Sequence, residues 1–204
     1  ELEHAPFNMT ALLERVISVM SVRAQEKGIA LDVRYEAGLH KTFVGDSGRI
    51  RQILLNLVGN AVKFTDQGGV SVFLANGGSG NGKKHLTISV TDTGIGIPEH
   101  KIADIFGKFI QADSSITRVY GGTGLGLAIS KSLAEQMEGS ITVTSRVGVG
   151  STFVLHLSLP IAASEGSHQP HQHNTIYLDT FRNAAQLPIL LVEDYEPNIL
   201  VATV

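Results

Sequence analysis

The sequence predicts an α/β sandwich built on a mixed sheet. The main reason is that segments of helical period and segments of period two alternate along residues 10–160. Length and composition agree. At about 150 residues per domain, 204 residues hold one full domain and a fragment. The balance of 43% hydrophobic to 17% charged residues is that of a globular chain.

The elements follow in order. Over residues 10–27, Leu13, Val16, Ile17, Met20 and Ala24 fall at helical spacing, and Gly28 stands where a helix C-terminus favours glycine. Ile29, Leu31, Val33 and Tyr35 alternate with Ala30, Asp32, Arg34 and Glu36, which predicts a strand with one buried face. A short strand is expected over 42–45. A second helix is expected over 47–64, where Ile50, Ile53, Leu54, Leu57, Ala61 and Phe64 recur at helical spacing. Strands over 70–75 and 86–91 flank Asn76-Gly77-Gly78-Ser79-Gly80-Asn81-Gly82, which is expected to be a loop. A short helix near 99–106, a longer one over 125–137, and closing strands through Ile141 and Val143 and through Phe153, Leu155 and Leu157 complete the domain. Residues 161–186 carry His168, His171 and His173 without sustained periodicity and are expected to be a linker. Residues 187–194 form an apolar run that ends in Glu193 and Asp194.

Composition removes several function classes. With no cysteine there is no disulfide framework, thiolate metal site or cysteine nucleophile. A net charge of −3 is too mild to make a nucleic acid or an anionic membrane the main partner. No apolar run approaches the roughly 20 residues that span a bilayer, so no membrane contact by this segment and a cytoplasmic setting are expected, a setting compatible with a membrane-anchored parent. Glycine is the outlier, at 22 of 204 residues against a usual ~7 per cent, and its clusters mark where function is to be sought.

Four stretches can carry chemistry. On the second helix Gln52, Asn56, Asn60 and Lys63 are spaced four, four and three apart and share one face. Asparagine is a poor helix former, and its amide oxygen ligates Mg²⁺ without adding negative charge, while Lys63 can neutralise a phosphate. A solvated polar face would show the same stripe. Asp92-Thr93-Gly94-Ile95-Gly96-Ile97 places a carboxylate at a strand end, before glycines that let a planar ring approach the backbone, although a tight strand-to-helix turn has the same composition. Gly121-Gly122-Thr123-Gly124-Leu125-Gly126-Leu127 opens a helix and presents backbone N–H groups to an anion, or serves as a ligand-free hinge. It lacks the Gly-Lys-Ser/Thr of a Walker loop and the flanks of a dinucleotide site. Between the glycine clusters, Phe106, Lys108, Phe109, Gln111 and Arg118 form either a lid that brings positive charge over phosphates or an ordinary surface loop.

Asn56-Leu57-Val58-Gly59-Asn60-Ala61-Val62-Lys63-Phe64, Asp92-Thr93-Gly94-Ile95-Gly96-Ile97, Ile105-Phe106-Gly107-Lys108-Phe109 and Gly122-Thr123-Gly124-Leu125-Gly126-Leu127 occur in that order. They resemble the asparagine, first glycine, phenylalanine and second glycine boxes of sensor histidine kinases. Gly148-Val149-Gly150-Ser151-Thr152-Phe153 resembles the terminal glycine box. The resemblance covers roughly residues 10–160 and implies a Bergerat-type ATP-binding domain, a two-layer sandwich of a mixed, mostly antiparallel sheet and three main helices. It implies that Asn56 and Asn60 hold Mg²⁺ and phosphate, that Lys63 touches phosphate, and that these three form the catalytic set. It further implies that Asp92 accepts from the adenine amine and that Gly94, Gly96 and Ile97 shape the adenine pocket. Lys108, Phe109 and Arg118 would close over ATP, residues 122–127 would wrap its phosphates, and Thr152 would line the adenine side. Ile189-Leu190-Leu191-Val192-Glu193-Asp194 resembles the first strand and acidic pair of a receiver domain, which implies a hybrid kinase and makes 187–204 a truncated receiver fragment.

The implied partners are a dimerisation domain carrying the phosphoacceptor histidine and a receiver domain, in a homodimeric parent. Residues 1–9 are then expected to be the remnant leaving the dimerisation helices. No histidine here stands in the His-Glu or His-Asp context, followed by Arg-Thr-Pro, of the family's acceptor. Two other functions compete, an ATP hydrolase of the same fold and a noncatalytic nucleotide-sensing scaffold. Hydrolases of this fold use a glutamate on the asparagine-bearing helix, and residues 47–64 contain none. The three linker histidines suit a metal only if structure supplies a further ligand.

Overall fold

The computed structural model describes residues 2–80, 82–107 and 125–162. The chain divides into two units, Glu1–Ala163 and Ser164–Val204, and the described residues all belong to the first. The linker histidines and the acidic tail lie outside the described residues.

The elements are β1 (Ala5–Asn8), α1 (Met9–Glu26), β2 (Ala30–Tyr35), β3 (Thr42–Gly45), α2 (Ser47–Phe64), β4 (Gly69–Gly80) and β5 (Lys83–Asp92). A one-turn helix α3 (Glu99–Ile102), α4 (Gly126–Gln136), β6 (Ser140–Arg146) and β7 (Gly150–Pro160) follow. Five strands form one sheet in the order β2-β4-β5-β7-β6, in which only the β2–β4 pair is parallel. A crossover through β3 and α2 joins that parallel pair, as parallel pairing requires. Helices α1, α2 and α4 cover one face of the sheet, as the sandwich reading expects.

Local chemistry explains the helix boundaries. Asn8 Oδ1 accepts from Ala11 N at 3.0 Å and caps α1, and Asp46 Oδ1 accepts from Arg49 N at 2.8 Å and caps α2. Gly28, at φ +67°, turns the chain out of α1 into β2. Leu13, Val16, Met20, Ile50, Ile53, Leu54 and Leu57 on the helices pack against Val72, Leu74, Ile88, Val90 and Leu155 on the sheet to form one core. Each such side chain contributes roughly 1.5–3 kcal/mol by leaving water.

Besides the helix expected near 99–106, which is helical only over Glu99–Ile102, two elements depart from the sequence expectation. The first is the stretch 76–82, expected to be a loop, yet β4 runs to Gly80 and β5 starts at Lys83, with a register shift between Asn76 and Ser79. Glycine carries no side chain for a period-two pattern to register, and backbone pairing opposite Lys83 and Lys84 extends the hairpin regardless. Gly77 lies so close to His85 that an added Cβ would stand 3.2 Å from the His85 Cβ. The second is β1, which lies in what the sequence offers only as a lead-in. It pairs antiparallel with β3, and Phe7 and Phe43 approach to 6.5 Å between ring centroids. Four residues including a proline are too few to show alternation.

Candidate functional site

Asp92 ends β5, the central strand, and its side chain lies on the helix-covered face at 7% exposure. Its Oδ1 accepts from Gly94 N at 2.8 Å and from Ser151 N at 3.3 Å. Among the described residues no hydrogen bond engages Oδ2. Burial raises the Asp92 carboxyl above its ordinary 3.8, against the lowering effect of those two N–H groups.

Close backbone approaches assemble the rest of the site. A Cβ on Gly94 would collide with the Phe64 carbonyl at the end of α2, which already accepts from Ile95 N at 3.2 Å. Gly96, at φ +70°, packs its Cα against the Arg146 carbonyl, where no side chain fits. The first glycine cluster is therefore wedged between the C-terminus of α2 and the β6–β7 turn. Ile97 is half-buried, and its N–H donates to Ser145 Oγ at 2.7 Å.

The polar stripe of α2 runs toward that wedge. Asn56 Nδ2 donates to Ser130 Oγ on α4 at 2.9 Å, and Asn60 Nδ2 donates weakly to Asn56 Oδ1 at 3.4 Å. Gly126, the first residue of α4, sits where a Cβ would meet Asn56 Oδ1. Asn60 Oδ1 accepts no hydrogen bond among the described residues, so a neutral oxygen is left to a hard cation. That is the donor chemistry a phosphate-bound Mg²⁺ takes. Lys63 is half-buried, with its ammonium 4.8 Å from the centroid of the Phe64 ring, and desolvation lowers its pKa. Leu125 precedes α4, and Leu127 packs against the core.

Thr152 does not join this group. It pairs in register with Thr91, bonds it at 3.0 Å between hydroxyls, and lies on the sheet face away from Asp92. The residue beside Asp92 is Ser151, buried at 7% exposure and in register with it. The alternation of Phe153, Leu155 and Leu157 was the signal, because counting back by two puts position 151 on the inner face. Lys108, Phe109, Arg118, Gly122, Thr123 and Gly124 lie outside the described residues. Phe106 is described, stacking edge-on to Phe153 with centroids 6.5 Å apart.

A two-layer sandwich with a buried carboxylate at the end of its central strand, and an amide-bearing helix beside it, is the arrangement of a nucleotide-site class of fold. The family described as histidine kinase-, DNA gyrase B-, and HSP90-like ATPase matches residues 45–161, and the chain belongs to it. The chain is 41% identical over 208 residues to the sensor histidine kinase AruS of Pseudomonas aeruginosa, spanning 98% of this chain and 20% of that protein. It is 38% identical over 160 residues to the signal transduction histidine-protein kinase BarA of Escherichia coli K12, spanning 78% of this chain and 17% of that protein. The chain thus spans about a fifth of these relatives' length. Full-length ShkA in complex with AMPPNP superposes with a TM-score of 0.70 at 40% identity, over 80% of this chain and 33% of that one. The catalytic domain of histidine kinase ThkA shares the fold, with a TM-score of 0.61 at 24% identity over 76% of this chain and 97% of that one. The expected domain class and fold therefore hold. No helix among the described residues is long and apolar enough to cross a membrane.

Proposed function

We propose that this chain binds Mg-ATP and delivers the γ-phosphate to a histidine on a separate dimerisation domain, within a two-component phosphorelay. The observation that carries the reading is Asp92, a buried carboxylate whose Oδ1 is saturated by two backbone N–H groups. Its Oδ2 is left to accept from an exocyclic amine, and Gly94 and Gly96 keep side chains out of the space a purine ring needs. The solved complex of ShkA with AMPPNP supports an adenine nucleotide as the ligand.

Asn56 and Asn60 would hold the metal through their amide oxygens, and Mg²⁺ when bound neutralises charge on the phosphates. Lys63 supports transfer by donating to a phosphate oxygen. By resemblance, Lys108, Phe109 and Arg118 close over the nucleotide, and Gly122, Thr123 and Gly124, continuing into Gly126, wrap its phosphates. With no glutamate on α2 to activate water, the acceptor is an external nucleophile. The histidine-bearing domain and a receiver are the partners this requires, the latter begun by residues 187–204.

Calorimetric titration with AMPPNP and Mg²⁺ tests the reading. Saturable binding that Asn60→Asp and Asp92→Asn each weaken about tenfold or more is expected, since each variant mispairs a charged or metal contact. No binding by the unmodified chain overturns it.

A further inference from the structure

The sequence motifs do not single out Ser145, yet its hydroxyl touches three parts of the site at once. It accepts from Ile97 N at 2.7 Å, contacts the Gly150 carbonyl at 3.0 Å and lies 2.9 Å from Ser151 Oγ. A serine hydroxyl has one proton and two lone pairs. The Gly150 oxygen can only accept, so the Ser145 proton goes there and Ser151 must donate its own proton to Ser145. The opposite arrangement would leave two oxygen lone pairs facing each other at 3.0 Å and lose a bond. Ser151 is thereby fixed as a pure acceptor beside Asp92, itself an acceptor when ionised. The two polar side chains side by side at the end of β5 and β7 offer no donor.

We propose that Ser145 is a positioning residue for base selectivity. By holding the Ser151 proton away from the pocket, it keeps the floor acceptor-only, which suits an adenine amine and repels the carbonyl oxygen that guanine presents at the same position. The inference rests on the nucleotide reading above and goes beyond it in assigning selectivity to a side chain that does not touch the base. Removing the Ser145 hydroxyl frees the Ser151 proton to donate, and one hydrogen bond of this kind changes affinity about fivefold.

The test measures the affinities of AMPPNP and of its guanine counterpart, with Mg²⁺, for the full chain and for Ser145→Ala and Ser145→Thr. The expected result is that the adenine-over-guanine ratio of the unmodified chain falls about fivefold in Ser145→Ala, while Ser145→Thr, which keeps the hydroxyl, retains it. Equal weakening of both nucleotides in Ser145→Ala, with the ratio unchanged, reduces Ser145 to a structural role and overturns the proposal. Loss of the ratio in Ser145→Thr also overturns it. Failure of the unmodified chain to bind either nucleotide is a separate outcome that overturns the nucleotide reading and this inference with it.

Discussion

Asp92 is held at the site against its own solvation preference. Because burial raises its native pKa above 3.8, the folded chain binds more protons than the unfolded chain between those two values. The stability this group contributes is complete below pH 3.8 and is lost as pH rises through the native value. Once ionised, the carboxylate is therefore a burden on the fold, one that the proposed recognition of an amine would require. Asp92→Asn keeps an Oδ1 for Gly94 N and Ser151 N and removes the charge, so its melting temperature at pH 7 should exceed that of the unmodified chain. The gain should shrink on acidification toward pH 3.8, as the native carboxyl takes up its proton. Thermal melts of both proteins across that range check the sign. Gly126 makes a second case at this scale. Gly126→Ala would otherwise favour α4 by roughly 1 kcal/mol of helix propensity, but its Cβ meets Asn56 Oδ1. Weaker Mg-AMPPNP binding with little change in melting temperature is expected, and tighter binding would show that Asn56 does not need its present place. Of these residues, Asp92, Asn56 and Asn60 were legible because each breaks an apolar or helix-forming pattern. Ser151 was overlooked beside the more motif-like Thr152, and Ser145 has no pattern to break, since its role exists only across three chain segments.

Helix α2 is the element on which the site depends, and both of its ends are tied by side chains. At the N-terminus burial pushes the Asp46 carboxyl up. The backbone N–H groups of Arg49 and Glu3, the Arg49 charge and the Gly48 N–H outweigh that and hold it below 3.8. Here the sign is opposite to that of Asp92. The stabilisation is present above pH 3.8 and is lost as pH falls through the lowered native value. Asp46→Ala should cost about 1 kcal/mol at neutral pH, the usual loss for an N-cap, whereas Asp46→Asn should recover most of it and flatten the acid limb. Chemical denaturation at pH 7 and pH 3 distinguishes the two variants. At the other end Lys27 donates to the Val62 and Lys63 carbonyls at 3.1 and 2.8 Å and pairs with Asp66 at 3.1 Å. A cation at the negative end of the helix is favourable, and the fixed carbonyls lie two residues and one residue before Phe64, against which Gly94 packs. The helices were legible because their apolar spacing persists over 18 residues each in α1 and α2. The ends of β4 and β5 were not, because pairing across glycines leaves no mark in side-chain alternation.

At the scale of the molecule, the strand order places β5 between β4 and β7, so Asp92 stands at the end of the strand with a paired neighbour on each side. The asparagines come from the helix packed over that sheet. On the proposed reading, base recognition rests on the centre of the sandwich, while the residues proposed to close over phosphate, Lys108 and Arg118, belong to the stretch between the glycine clusters. Such a division would suit the proposed transfer, with the base held in the sandwich and the terminal phosphate presented to a partner. Nothing on α2 replaces that partner, since its 18 residues contain neither a general base for water nor a histidine. None of the eight histidines of the chain stands before an acidic residue as the family's acceptor does. The full chain incubated with γ-labelled ATP and Mg²⁺ should therefore bind nucleotide, retain no acid-labile label and release phosphate only slowly. Adding a separately supplied histidine-bearing dimerisation domain should lead to label on that domain. Asp92→Asn and Asn60→Asp should each suppress the transfer about tenfold or more, as is expected for binding. Rapid phosphate release by the chain alone would instead point to a hydrolase, with water reaching the terminal phosphate without an α2 base. Binding without transfer to any supplied domain would leave a nucleotide-sensing module, so the experiment separates the three functions a shared fold permits.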